Sequence, residues 1–272
     1  MKLSLSNIAW SPDENAAVID IMHNNGITGV DFALSKIFAE PLTATDADIQ
    51  AVIDYWTQNN IAIAGAQSIH FGFPQHQLFG SPTVRAEMIA FTNAMVAVAG
   101  KLGVSAVVFG SPKNRVRGDL PLEEATTIAI DAFRQMGESA VQHNTCIVIE
   151  PNAAAYGCDF IRTAEEGIAF VTAVNHPGVK LHLDTGSMIM MNDDIPAVIR
   201  KSGALLKHFH VAAPELSQVG LPETTDIHMS AAEALRDINY TGWVTVEMKD
   251  GLTTRNTIAV TQAAEFVSHI YQ

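Results

Sequence analysis

Short apolar runs alternate with longer stretches of helical spacing eight times along the chain. The clearest run is Cys146-Ile147-Val148-Ile149, mostly β-branched, which meets Glu150 and is stopped by Pro151. Being apolar on both faces, it predicts a strand of a parallel sheet covered by helices. Strands are predicted at 3–8, 29–32, 61–67, 105–109, 146–149, 179–183, 206–211 and 243–247. Helices are predicted between them. Ser11-Pro12-Asp13-Glu14 reads as an N-cap, a proline at the first helical position and acids in the first turn, opening a helix to Asn24. A second starts in Thr43-Ala44-Thr45-Asp46. A third, from Pro82 to about 102, spaces Met88, Phe91, Met95 and Val98 along one face. Others cover 122–143, a stretch after the capping box Thr163-Ala164-Glu165-Glu166, then 196–202, 231–238 and 254–270. Eight strand–helix units in 272 residues match the count and size of a closed (β/α)8 TIM barrel, read as one domain over 1–272. An open doubly wound sheet would carry a glycine-rich phosphate turn after the first strand, and Asn7-Ile8-Ala9-Trp10 is not one.

Composition narrows the function classes. With 48% hydrophobic residues the chain can bury a large core, yet no apolar run is long enough for a membrane span. A formal net charge of −13 argues against a nucleic-acid partner. Two cysteines, Cys146 and Cys158, make no disulfide framework, which is the pattern of a reduced, cytoplasmic protein.

The chemistry gathers at strand ends. The fifth strand runs into Glu150, the sixth into Asp184, the seventh carries His210 and the eighth ends in Glu247. Their spacing is about one strand–helix repeat each, so all four fall at the carboxyl end of adjacent strands, where such barrels keep their active sites. Three carboxylates and an imidazole make a hard donor set for a divalent cation. The segments Val148-Ile149-Glu150-Pro151-Asn152, Leu183-Asp184-Thr185-Gly186, His208-Phe209-His210 and Gly242-Trp243-Val244-Thr245-Val246-Glu247-Met248 resemble those of the xylose isomerase-like TIM-barrel superfamily. Within it they resemble the sugar or sugar-phosphate isomerase/epimerase branch that includes D-tagatose 3-epimerase.

The resemblance implies a Mn²⁺ site, with Mg²⁺ or Co²⁺ as alternatives, bound by Glu150, Asp184, His210 and Glu247. It also implies that Glu150 and Glu247 act as a pair of acid/base groups on a small carbohydrate, moving a proton beside a carbonyl through an enediolate. Dimers and tetramers are frequent among such barrels. Two positions depart from the branch. Its epimerases place a histidine three residues after the sixth-strand aspartate, where this chain has Ser187 on the substrate side. They place an arginine six residues after the seventh-strand histidine, where this chain has Leu216.

Other residues are candidates for substrate binding. Lys113, Arg115 and Arg117 follow the fourth strand in an otherwise acidic chain and suggest an anion site for a phosphate, carboxylate or acidic sugar. His70 follows the third strand and could face the pocket. His182 and His208 share a strand face with Asp184 and His210 but lie one layer deeper, as core groups or supports. Phe71 and Phe73, with Trp10, could form an apolar wall, the first two in a loop, 68–80, that could act as a lid. Asp226-Ile227-His228 resembles the multi-zinc apurinic endonucleases of the same superfamily, but Ser187 lacks the histidine those need. A metal-dependent hydrolase or lyase of that kind, and a non-catalytic partner subunit, are the competing functions.

Overall fold

The computed structural model describes all 272 residues. Eight parallel strands close in sequence order, β1 to β8, with β8 pairing back onto β1. They are β1 (Lys2–Ser6), β2 (Gly29–Ala33), β3 (Ala62–Gln67), β4 (Val107–Phe109), β5 (Ile147–Ile149), β6 (Val179–Asp184), β7 (Leu206–Ala212) and β8 (Trp243–Glu247). The helices that cover them begin with α1 (Asn15–Asn24), α2 (Asp46–Gln58), α3 (Pro82–Lys101) and α4 (Leu122–Gln142). They continue with α5 (Ala164–Val174), α6 (Thr185–Met191), α7 (Ile195–Ser202), α8 (Thr225–Asp237) and α9 (Asn256–Tyr271). The expected (β/α)8 barrel is the fold observed. No helix is long and apolar enough to cross a membrane.

Local signals explain most boundaries. Ser11 and Glu14 open a short 3-10 turn that runs into α1, with the Ser11 amide donating to Glu14 Oε2 at 2.9 Å. Ser81 caps α3, whose first residue is Pro82. At α5 the expected box forms only by half. Thr163 Oγ1 accepts from the Glu166 amide, but Glu166 Oε2 accepts from the amide of Arg162 rather than that of Thr163. Helix α6 has no counterpart among the predicted elements. Asp184 caps it, its Oδ1 accepting from the Ser187 amide at 2.7 Å, so one carboxylate ends a strand and starts a helix.

The strands alternate faces with period two, and this sorts their chemistry. Leu3, Leu5, Leu181, Leu183, Phe209, Val211, Val244 and Val246 join the large apolar core between barrel and helices. Ser4, Ser6, His182, Asp184, His208, His210 and Thr245 are the buried polar residues between them. Strands β4 and β5, each with the residue just before it, keep an apolar face through Ala106, Val108, Cys146 and Val148, a small cluster of their own. The doubly apolar pattern of the fifth strand therefore does not extend to β1, β6, β7 and β8, whose inward faces are polar.

Candidate active site

Glu150 directly follows β5, Asp184 and Glu247 end β6 and β8, and His210 lies within β7. Parallel register sets Asp184 beside His210 and Ala212 beside Glu247, so the side chains converge at the carboxyl end of the barrel. One ligand atom each from Asp184, His210 and Glu247 lies within 4.8 Å of the others, and Glu150 meets Asp184 and His182 within the same limit. His210 Nδ1 lies 3.3 Å from Glu247 Oε2. Gly110, after β4, makes room for Glu150, because a Cβ there would overlap the carboxylate Oε2. Gln67, at the end of β3, donates from Nε2 to Glu247 Oε1.

Burial raises the Glu150 carboxyl well above its usual range, and Asp184 and Glu247 raise it further. Asp184 is pushed up to about 7, by burial first and by Glu247 second. Burial alone would lower the His210 imidazole, but Glu247 and Asp31 lift it well above its ordinary value. Asp184 Oδ2 and His210 Nδ1 are buried atoms with no hydrogen-bond partner. Carboxylates crowded until two resist ionising, with an oxygen and a nitrogen turned inward unused, fit a divalent cation.

Glu150, Asp184 and Glu247 line a cavity of about 600 Å³, with His210 buried behind them, and its size is within the range of about 300–1,000 Å³ typical of small-molecule sites. Gln67, Asn152, Tyr156 and Ser187 line it with polar groups, and Phe71, Phe73, Val108 and Leu216 supply apolar walls. Phe71 is 80% exposed at the rim. Trp10 is buried, bonds Asn15 Oδ1 at 2.8 Å and is absent from the lining. Glu215 and Leu216 hold left-handed backbone, φ 60° and 54°, and the Glu215 amide donates to the Tyr156 hydroxyl at 2.9 Å. Leu216 thus projects into the cavity from a strained corner, a conformation that tends to mark functional sites.

The same family of folds emerges from comparison. Residues 19–267 match the family described as xylose isomerase-like TIM barrel. The chain belongs to that family. This xylose isomerase-like barrel is 38% identical over 87 residues to a D-psicose 3-epimerase of Ruminiclostridium cellulolyticum, covering 32% of this chain and 29% of that one. It is 39% identical over 102 residues to a D-psicose 3-epimerase of Agrobacterium fabrum, covering 37% and 35%. The matched segment thus spans about a third of the length of these curated relatives. A solved structure of D-psicose 3-epimerase with D-tagatose from Clostridium cellulolyticum superposes over 100% of both chains, with a TM-score of 0.80 at 20% identity.

The barrel corrects two of the substrate-side expectations, Arg115 and Arg117, and places the third, His70, in the wall with its nitrogens bonded. Arg115 is fully buried, and its guanidinium donates to protein acceptors only. Nη2 reaches the Glu150 carbonyl at 2.6 Å and Asn152 Oδ1 at 2.9 Å, while Nε reaches the Phe160 carbonyl at 3.0 Å and Nη1 the Phe109 carbonyl at 3.3 Å. It braces the backbone that carries Glu150 and has no face for a substrate anion. Arg117 Nη1 turns to the Gly118 and Leu120 carbonyls of its own loop, outside the cavity lining. His70 forms part of the wall, but its nitrogens are occupied, Nε2 by Thr92 Oγ1 at 2.9 Å and Nδ1 by His76 Nδ1 at 3.2 Å. The Thr92 hydroxyl proton goes to the Met88 carbonyl, so His70 must donate from Nε2 and accept at Nδ1. Burial, then His76, lowers its pKa to about 3. Only Lys113 and Ser187 of the expected substrate set line the cavity with a group still free to face it. His228 sits in α8, bonded to the Tyr271 hydroxyl at 3.0 Å, in the core rather than at the mouth.

Sequence reasoning missed Gln67, Asn152, Tyr156 and Asp31. Gln67 ends β3 and Asn152 closely follows β5, while Asp31 lies inside β2 and Tyr156 in the loop after β5; their partners lie far along the chain, as with Gln67 and Glu247, 180 residues apart.

Proposed function

We propose that the protein is a metal-dependent sugar epimerase that inverts a hydroxyl-bearing carbon next to a ketose carbonyl. The observation that carries this reading is the convergence of Glu150, Asp184 and Glu247 on one cavity, with buried His210 clustered against Asp184 and Glu247 behind them. Glu150, Asp184, His210 and Glu247 would hold the cation, and Mn²⁺ suits three carboxylates and one imidazole, with Mg²⁺ and Co²⁺ as alternatives. The chemistry a divalent cation supplies when bound is Lewis-acid polarisation of a carbonyl, which acidifies the neighbouring C–H.

The chain's own groups do the rest. Glu150 and Glu247 approach from strands three apart in the barrel order, so one carboxylate can take the proton and the other return one from the opposite face. Gln67 holds Glu247 by one oxygen and leaves the second toward His210. Gly110 and Arg115 fix Glu150, one by giving space and the other by gripping its carbonyl. Phe71, Phe73 and Leu216 give the walls an apolar surface for the carbon face of a sugar. Lys113 is the one lysine or arginine that lines the cavity; it is exposed at the rim and makes no ion pair. That placement supports a substrate whose far end is anionic, a phosphate or carboxylate, with Ser187 nearer the reacting carbons.

The test is ¹H-to-²H exchange by NMR in D₂O, with Mn²⁺ and a panel of ketoses, ketose phosphates and keto-acids. Deuterium should enter one carbon beside the carbonyl and fail to enter with Glu150→Gln. Metal-loaded protein that exchanges no C–H on any of these classes would remove proton-transfer chemistry from the site.

A further inference from the structure

One layer below Asp184, His210 and Glu247 the barrel holds a second polar set: Asp31 on β2, His182 on β6, His208 on β7 and Thr245 on β8, all fully buried. Asp31 Oδ2 accepts from His208 Nε2 at 2.7 Å and from His210 Nε2 at 3.2 Å. His208 Nε2 also lies 3.4 Å from Thr245 Oγ1, which bonds Ser4 Oγ at 2.6 Å. His182 packs against both rings, 5.5 Å from His208 and 4.2 Å from His210 between centroids. The backbone is shaped around this layer. The register of β2 on β3 shifts between Val30 and Asp31, and that of β6 on β7 between Leu181 and His182. Gly65, on β3, leaves space for the carboxylate, since a Cβ there would stand 2.5 Å from Asp31 Oδ1.

A carboxylate this deep costs several kcal/mol unless it is well partnered, and apolar side chains of similar volume often do as well. Stability alone gives no reason to keep it. We propose that Asp31 is a positioning residue: by accepting from His210 Nε2–H it fixes the ring so that Nδ1 faces the metal centre. The inference rests on the metal-centre reading given above. An imidazole offers only its bare nitrogen to a metal, and the hydrogen bond made by the other nitrogen decides which one that is. An ionised carboxylate can only accept, so Nε2 must carry the proton toward it. Nδ1 then lies on the side of Glu247 Oε2, 3.3 Å away. His208 supplies the second bond that holds Asp31 in place, and Gly65 the room.

Asp31→Asn tests this, because an amide of the same size can also donate and no longer enforces one tautomer. Two readouts are needed: the Mn²⁺ dissociation constant by calorimetry, and the orientation of the His210 ring in a crystal structure of the metal-free variant. Expected is a 10- to 100-fold weaker Mn²⁺ affinity, of the order seen when a partner behind a metal ligand is removed, together with a His210 ring displaced from Glu247. Gly65→Ala keeps the charge but crowds Oδ1, and should weaken Mn²⁺ binding in the same direction by less. It also decides the matter if Asp31→Asn does not fold, since wild-type affinity in Gly65→Ala would then overturn the proposal. A folded Asp31→Asn with wild-type affinity and an unmoved ring overturns it as well. Wild-type protein that takes up no Mn²⁺ would instead sink the metal-centre reading, and the ring orientation in Asp31→Asn would alone decide the role of Asp31.

Discussion

Strands β5 to β8 end on or beside Glu150, Asp184, His210 and Glu247, whereas β1 to β4 end in Ser6, Ala33, Gln67 and Phe109, none of them charged. The second half of the barrel carries the candidate reactive groups, and the first half holds them. Gln67 fastens Glu247, Gly110 makes space for Glu150, and Asp31 bonds His210 from below. The loop after β3 and the loop after β4 supply Phe71, Phe73 and Lys113 to the wall. Changes in the second half should therefore remove the chemistry, and changes in the first half should weaken it by displacing the groups that perform it.

The sharpest break in that comparison is Glu150→Gln. With no carboxylate to move the proton, C–H exchange should fall by a factor of about 10² to 10⁴, measured by NMR, while the circular dichroism spectrum is unchanged. Arg115→Ala should act on stability instead. It leaves four backbone carbonyls and Asn152 Oδ1 without their buried donor, and about 3–5 kcal/mol should be lost in urea unfolding. A loss within about 0.5 kcal/mol would mean that the guanidinium is not the brace of the Glu150 backbone.

Gln67→Leu probes the supporting half directly. Glu247 loses its amide partner, and Mn²⁺ affinity or turnover should drop about 10- to 100-fold with little change in unfolding midpoint. Lys113→Ala gives the smallest effect. KM for an anionic ketose should rise by about tenfold, with kcat and the KM for a neutral ketose unchanged. Equal effects on both substrates would take Lys113 out of anion recognition.

The barrel and the strand-end carboxylates were legible in the sequence because both follow from a period. Apolar strands recur at regular intervals, and a polar residue at the end of a buried run has few places to go. The supports were less legible, because a support is defined by its neighbour. Arg115 sits in a loop with Lys113 and Arg117 and reads as part of an anion site. Its acceptors at Phe160 and Ile161 come from a loop 45 residues further on. Asp31 lies inside a strand whose five residues are all buried, an unusual place for a lone carboxylate, and that was the available signal. The half-formed cap at α5 and the extra helix α6 share a cause. In each case a side chain bonds an amide that the local pattern does not single out, Arg162 for Glu166 and Ser187 for Asp184.

The most direct test of the four-residue centre is an anomalous-difference map from a crystal of the wild-type protein grown with Mn²⁺. The expected result is one strong peak at the cavity floor, within bonding distance of carboxylate oxygens of Glu150, Asp184 and Glu247 and of His210 Nδ1. A peak held by other residues, or a well-ordered cavity with none at saturating Mn²⁺, would contradict it.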